Sequence, residues 1–220
     1  MKFFLDTADL DEIREAASWG VISGVTTNPS LYAKIGGKLA DFESHIARIC
    51  EIVDGPVSAE TTAMTRDEIV ADGRRLHAIA PNVVVKIPVM PEGLAATRQL
   101  AEEGIDVNMT LVFSPTQAIL AARAGARYIS PFVGRFDDIA EDGLSQLADV
   151  IAAIQGFDYG HEVEIIAASV RSPHHVAQAA LLGADIATVP FGVLGNCVKH
   201  PLTDRGLERF LADWKKVEQA

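Results

Sequence analysis

Val83-Val84-Val85-Lys86-Ile87-Pro88 is the stretch whose reading decides the fold. Three valines and an isoleucine favour an extended chain, and the run is apolar on both faces. Such a strand belongs in a parallel sheet covered on both sides. Pro88 lacks an amide donor and suits the strand's end. Lys86 stands inside the run, where a lysine without a partner or a task is rare. Desolvation there favours the neutral amine, which attacks ketones and aldehydes to give a Schiff base. A lysine that snorkels its head to solvent is the competing reading of Lys86 taken alone.

Working outward, the same kind of unit recurs. Phe3-Phe4-Leu5-Asp6 is a first short strand ending on an acid. Asp9 to Glu12 reads as a capping box, ahead of a stripe of Leu10, Ile13 and Ala17, and Gly20 closes the helix. Ile22 to Thr27 is a second strand, and Asn28-Pro29 starts a helix. Phe42, Ile46, Ile49 and Val53 keep helical spacing. Val57 to Glu60 is the third strand, and Thr65 to Glu68 reads as a second capping box. The lysine strand is the fourth. Ile105 to Leu111, Arg127 to Ser130, Val163 to Ser169 and Ile186 to Pro190 are the remaining four, with helices between them opened by Ser114-Pro115 and Ser172-Pro173.

Eight strands alternating with helices in 220 residues predict a (β/α)8 TIM barrel, one domain over 1–220. An open doubly wound sheet is the alternative. It would prefer a glycine-rich loop after its first strand, where this chain has Asp6-Thr7-Ala8-Asp9. An additional C-terminal helix, about 203–218, carries Leu207, Phe210, Leu211, Trp214 and Val217 on one side. It either packs on its own barrel or reaches a neighbouring subunit.

A net charge of −11 and a pI near 4.9 argue against nucleic acid and anionic membrane as partners. Cys50 and Cys197, far apart, predict reduced thiols and a cytoplasmic setting. No apolar run approaches a membrane span. None of the six histidines has a second ligand at metal spacing, so no metal is expected, and His174-His175 reads as surface.

Working residues of such a barrel sit at the C-terminal strand ends. Those ends carry Asp6, Asn28, Glu60, Lys86, Asn108 with Thr110, Ser130, and Ser169 with Arg171; the eighth offers little beyond Pro190-Phe191. Each has a plain structural reading: Asp6 and Asn28 as helix caps, Glu60 as a solvated acid, Thr110 as a strand former, Ser130 as turn chemistry. Together around one buried lysine they form a coherent set. Lys86 would attack a ketone, Asp6 would take a hydroxyl proton as the adjacent C–C bond breaks, and Glu60 with Thr110 and a water would move protons at the carbinolamine. Asn28, Asn108 and Ser130 would bond sugar hydroxyls. Arg135, Ser169 and Arg171, near the Ser172-Pro173 helix start, would suit a phosphate. Alternatively, Arg135 would pair with Asp137 or Asp138, and Arg171 would be solvated.

These residues resemble the transaldolases, in the small-barrel branch that includes fructose-6-phosphate aldolase. Leu5-Asp6-Thr7-Ala8, Gly24-Val25-Thr26-Thr27-Asn28-Pro29-Ser30, Val57-Ser58-Ala59-Glu60 and Val85-Lys86-Ile87-Pro88 carry the likeness in the first half. Asn108-Met109-Thr110-Leu111-Val112-Phe113-Ser114, Ser130-Pro131-Phe132-Val133-Gly134-Arg135 and Ala167-Ala168-Ser169-Val170-Arg171 carry it in the second. The resemblance implies a Schiff-base lysine at Lys86 and no cofactor. It implies reversible transfer of a dihydroxyacetone unit from sedoheptulose 7-phosphate or fructose 6-phosphate to glyceraldehyde 3-phosphate or erythrose 4-phosphate, in the non-oxidative pentose phosphate pathway. It also implies a cytoplasmic homo-oligomer, often a decamer in this branch, with the terminal helix reaching a neighbour.

Within the branch the aldolase pattern has glutamine at the position of Glu60 and tyrosine at the position of Phe132; both residues here follow the transferase. A phenylalanine cannot hold a water or donate a proton, so the enamine should persist until an aldehyde acceptor arrives. Fructose-6-phosphate aldolase and a non-catalytic sugar-phosphate-binding barrel are the alternatives. Binding alone requires none of Lys86, Asp6 and Glu60.

Overall fold

Eight parallel strands close into a barrel in strict chain order, β1 pairing with both β2 and β8. They are β1 (Lys2–Asp6), β2 (Ile22–Thr26), β3 (Val57–Glu60), β4 (Val83–Pro88), β5 (Val107–Val112), β6 (Tyr128–Pro131), β7 (Glu164–Ala167) and β8 (Ile186–Val189). This computed structural model describes residues 1–219; Ala220, the end of the expected 1–220 domain, lies outside the described residues. The closed sheet rules out the doubly wound alternative.

The outer layer holds α1 (Leu10–Ser18), α2 (Pro29–Lys34), α3 (Phe42–Ile52), α4 (Arg66–His77), α5 (Pro91–Glu102) and α6 (Pro115–Ala124). It continues with α7 (Gly134–Asp137), α8 (Gly143–Gln155), α9 (Pro173–Leu182) and α10 (Phe191–Cys197), and α11 (Pro201–Glu218) follows as the last helix. Proline at the first turn and a polar cap start several of them. Asn28, Ser114 and Ser172 each accept the backbone amide three residues on. Gly125 and Gly183 end α6 and α9 in the left-handed conformation.

Both expected capping boxes are built differently. Thr65 donates its hydroxyl to the Glu68 carboxylate rather than accepting a backbone amide. Asp9 does cap α1, but Glu12 turns away to accept a 2.6 Å bond from Thr7.

Residues two apart along a strand face the same side of the sheet. The outward set, including Leu5, Val25, Val57, Val85, Ile87, Met109, Ile129 and Val189, packs on the helices as the main core. The inward set splits by height. Phe4, Val84, Tyr128, Ile166 and Ile186 form a separate apolar plug low in the barrel. Gly24 leaves room for it: a Cβ there would stand 2.7 Å from the Phe4 ring. Two residues above the plug, the inward positions become Asp6, Lys86, Ser130 and Thr188. The inner wall is thus apolar at mid-height and polar above it, with Lys2 and Glu164 paired at the lower end.

The C-terminal helix is a correction to one of the two expectations for it. α11 forms, but no residue in it is buried, so it does not close its own barrel. Leu207, Phe210, Leu211, Trp214 and Val217 are each more than half exposed. Among the described residues, no helix is long and apolar enough to cross a membrane.

Candidate active site

Strand register assembles the polar layer. Glu60 and Lys86 are direct cross-strand partners, as are Lys86 and Asn108, and Asp6 and Thr26. Lys86 is 5% exposed and does not snorkel. Its Nζ lies 3.0 Å from Glu60 Oε2 and donates a 3.1 Å hydrogen bond to the Thr27 carbonyl. Burial is therefore only half of its environment, since a carboxylate meets it within the barrel.

A cavity of about 110 Å³ opens above this layer. Asp6, Thr26, Asn28, Lys86, Ser130, Phe132, Arg135, Ala168, Ser169 and Thr188 line it. Burial pushes the Asp6 carboxyl above its ordinary value, Lys86 and the Thr26 hydroxyl hold it down, and Glu60 adds to the rise. Asn28 serves twice, capping α2 through Oδ1 and facing the cavity. Phe132 packs its ring 5.5 Å from that of Phe113.

A buried hydrogen-bonded row runs from the cavity-lining Ser130. Ser130 donates to Asn108 Oδ1 at 2.7 Å, and Asn108 Nδ2 donates to Ser58 Oγ at 3.0 Å. Thr110 is 1% exposed, and its hydroxyl has no partner among the described residues. The next residue, Leu111, takes φ +57° where the β5–β6 register shifts. Ser169, at the cavity rim, also sits at φ +57°. Non-glycine residues held in this region are strained, and both flank the site. Gly134 is needed beside it, because a Cβ there would lie 2.4 Å from the Ser169 carbonyl.

The two arginines part company. Arg135 lines the cavity and, among the described residues, makes no ion pair. Asp138 instead grips the guanidinium of Arg171, with Nη2 at 2.6 Å, and Arg171 does not line the cavity. Asp137 sits 3.2 Å from His175 Nε2. His175 is consequently not a free surface residue as its neighbour His174 is. Glu60 does not line the polar cavity; it meets Lys86 from a groove of about 200 Å³ bordered also by Pro29, Tyr32 and Phe42.

Thr26, Ser58 and Thr188 were not singled out from the sequence. Their signal was parity: each falls an even number of residues from an inward-facing neighbour on its strand. Among the described residues, no group of three His, Cys, Asp or Glu side chains could hold a metal ion. Burial pushes the Cys50 thiol up to about 11, which keeps it in the inert form.

A closed (β/α)8 barrel with its polar cavity at the C-terminal ends of the strands defines a barrel enzyme whose chemistry is built from strand-end side chains. The chain belongs to the transaldolase/fructose-6-phosphate aldolase family, whose model matches residues 3–220. It is 58% identical over 224 residues to a probable transaldolase of Thermus thermophilus, covering 99% of this chain and 100% of that one. A probable transaldolase of Syntrophobacter fumaroxidans is 57% identical over 220 residues, covering 100% and 99%. One from Prosthecochloris aestuarii is 56% identical over 218 residues, covering 97% of each. Of the two activities the family spans, the relatives carry the transaldolase name, and this chain is a transaldolase.

Proposed function

We propose that this transaldolase moves a dihydroxyacetone unit between sugar phosphates through a Schiff base on Lys86. The observation that carries the reading is the buried lysine amine 3.0 Å from Glu60 Oε2, with Asp6 on the same cavity. As Glu60 takes a proton from the ammonium, the free amine attacks the ketone carbon. The alkoxide so formed takes one proton from the attacking nitrogen, Glu60 returns the other through a water, and the hydroxyl leaves as water to give the iminium. The unpaired Thr110 hydroxyl supplies a place to hold that water. Asp6 accepts the proton of the substrate hydroxyl as the neighbouring C–C bond breaks. The bond's electrons flow to the iminium and give an enamine, and an aldose leaves. The acceptor aldehyde runs the sequence backward, so no redox change is required.

Asn28, Asn108 and Ser130 bond sugar hydroxyls in this reading. Arg135 and Ser169 hold the phosphate at the rim, while Arg171, off the cavity, is neutralised by Asp138. Sedoheptulose 7-phosphate or fructose 6-phosphate is the donor, and glyceraldehyde 3-phosphate or erythrose 4-phosphate the acceptor, as in the non-oxidative pentose phosphate pathway. The transfer reading over the aldolase one rests on Phe132, which places a ring without a hydroxyl on the cavity wall. A cytoplasmic setting fits the two free cysteines. The chain works as one barrel unit and self-associates through the apolar face of α11.

The test is borohydride reduction in the presence of fructose 6-phosphate, with mass mapping of the adduct. The expected result is an adduct on Lys86 that disappears in Lys86→Ala. Binding of the sugar phosphate without any adduct would promote the non-catalytic barrel. Turnover of fructose 6-phosphate that does not depend on added acceptor would promote the aldolase.

A further inference from the structure

The first and last parts of the chain meet in a row of three hydroxyl and carboxyl groups at the barrel seam. Thr26 on β2 donates to Asp6 Oδ1 on β1 at 2.8 Å. Thr26 Oγ1 also lies 2.5 Å from Thr188 Oγ1 on β8. Both threonines are 2% exposed and stand at the cavity wall. A hydroxyl has one proton. Since Thr26 gives its proton to the carboxylate, the proton of the second bond comes from Thr188. The row runs Thr188 to Thr26 to Asp6, and Oδ2 of Asp6 is left for the substrate.

We propose that Thr188 is a positioning residue for the C–C cleavage step, acting through Thr26 to orient the Asp6 carboxylate and hold it ready to accept a proton. This rests on the transfer mechanism above. A hydroxyl that accepts one hydrogen bond donates the next more strongly, so the outer threonine reinforces the inner one. The charged groups facing Asp6 are Lys86 on β4, Glu60 on β3 and, across the cavity, Arg135 on α7. Lys86 and Thr26 favour the ionised carboxylate, whereas burial and Glu60 oppose it. When Asp6 gains the substrate's proton at Oδ2, Thr26 still donates to Oδ1, so the carboxyl keeps its orientation through the step. Among the described residues, no other side chain is hydrogen-bonded to Asp6.

The experiment is the pH profile of transfer by the full-length Thr188→Val, Thr188→Ser and Thr26→Val proteins, with borohydride trapping on fructose 6-phosphate alongside. Valine keeps the β-branched shape on β8 and removes only the donor. The acid limb of kcat should move to higher pH by about half a unit in Thr188→Val, a roughly threefold loss on that limb. Thr26→Val should move it by about one unit, roughly tenfold. In Thr188→Val the rate at high pH should hold, and Thr188→Ser should restore the wild-type limb. An unshifted limb in Thr188→Val overturns the inference. So does a loss of equal size at every pH, or a loss of trapping in Thr188→Val that Thr188→Ser retains. Absence of a Lys86 adduct in the wild type would instead overturn the proposed function.

Discussion

At the residue scale, Asp6 is the side chain under most tension. Its carboxyl is raised above the ordinary 3.8, chiefly by burial. The folded state therefore binds a proton more readily than the unfolded chain. Stability contributed by this group is present below 3.8 and is lost as pH rises through the raised folded value. Asp6→Asn should consequently melt higher than the wild type at pH 8 while losing transfer activity. The gap should close as pH falls toward 4. At roughly 2–4 °C per kcal/mol for a chain of this size, melting curves across pH resolve it. Equal melting temperatures at every pH would mean that Lys86 fully compensates the buried charge. Lys86 itself was readable from sequence as an anomaly inside an apolar strand. Its 3.0 Å partner was not, because Glu60 is 26 residues away and only register makes them neighbours.

At the element scale, α11 is the part of the fold that a monomer leaves unexplained. Its five apolar side chains recur at helical spacing on one face, and all are more than half exposed. This stripe is the association surface proposed above. Trp214→Glu should lower the assembly size in light scattering and leave the melting of the barrel within about 0.5 kcal/mol. An unchanged mass at micromolar concentration would remove α11 from the interface. The sequence predicted both this helix and its stripe. It left two destinations open because periodicity shows which face is apolar and not what covers it. The short α7 was not predicted, although it places Arg135. Four residues are too few to show a period.

At the scale of the whole molecule, the two ends of the barrel do different work. The C-terminal end carries the cavity. The N-terminal end is tied by Glu164, 6% exposed, which meets Lys2 at 2.7 Å and Arg127 at 2.8 Å. These bonds join β7 to β1 and to the start of β6, across the point where the barrel closes. Removing one partner of a buried ion pair costs about 3–5 kcal/mol, and the half-exposed Lys2 reduces that here to about 2. Glu164→Gln should thus melt lower by several degrees with kcat unchanged. Lost activity at an unaltered melting temperature would show instead that this end communicates with the cavity.

The sequence by itself determined the eight alternating units, the apolar outward faces and the residue types at most strand ends. These follow from neighbours along the chain: alternation, capping and helical period act within a few residues. The tertiary structure decided which polar groups touch. It took Arg171 to Asp138 and left Arg135 to the cavity. It turned Thr110 inward without a partner, beside a strained Leu111. It also set Thr188 against Thr26, 162 positions apart. The physical reason is closure. A strand's period says that alternate residues share a face, but register and the pairing of the last strand with the first are fixed only when the whole sheet packs against its helices.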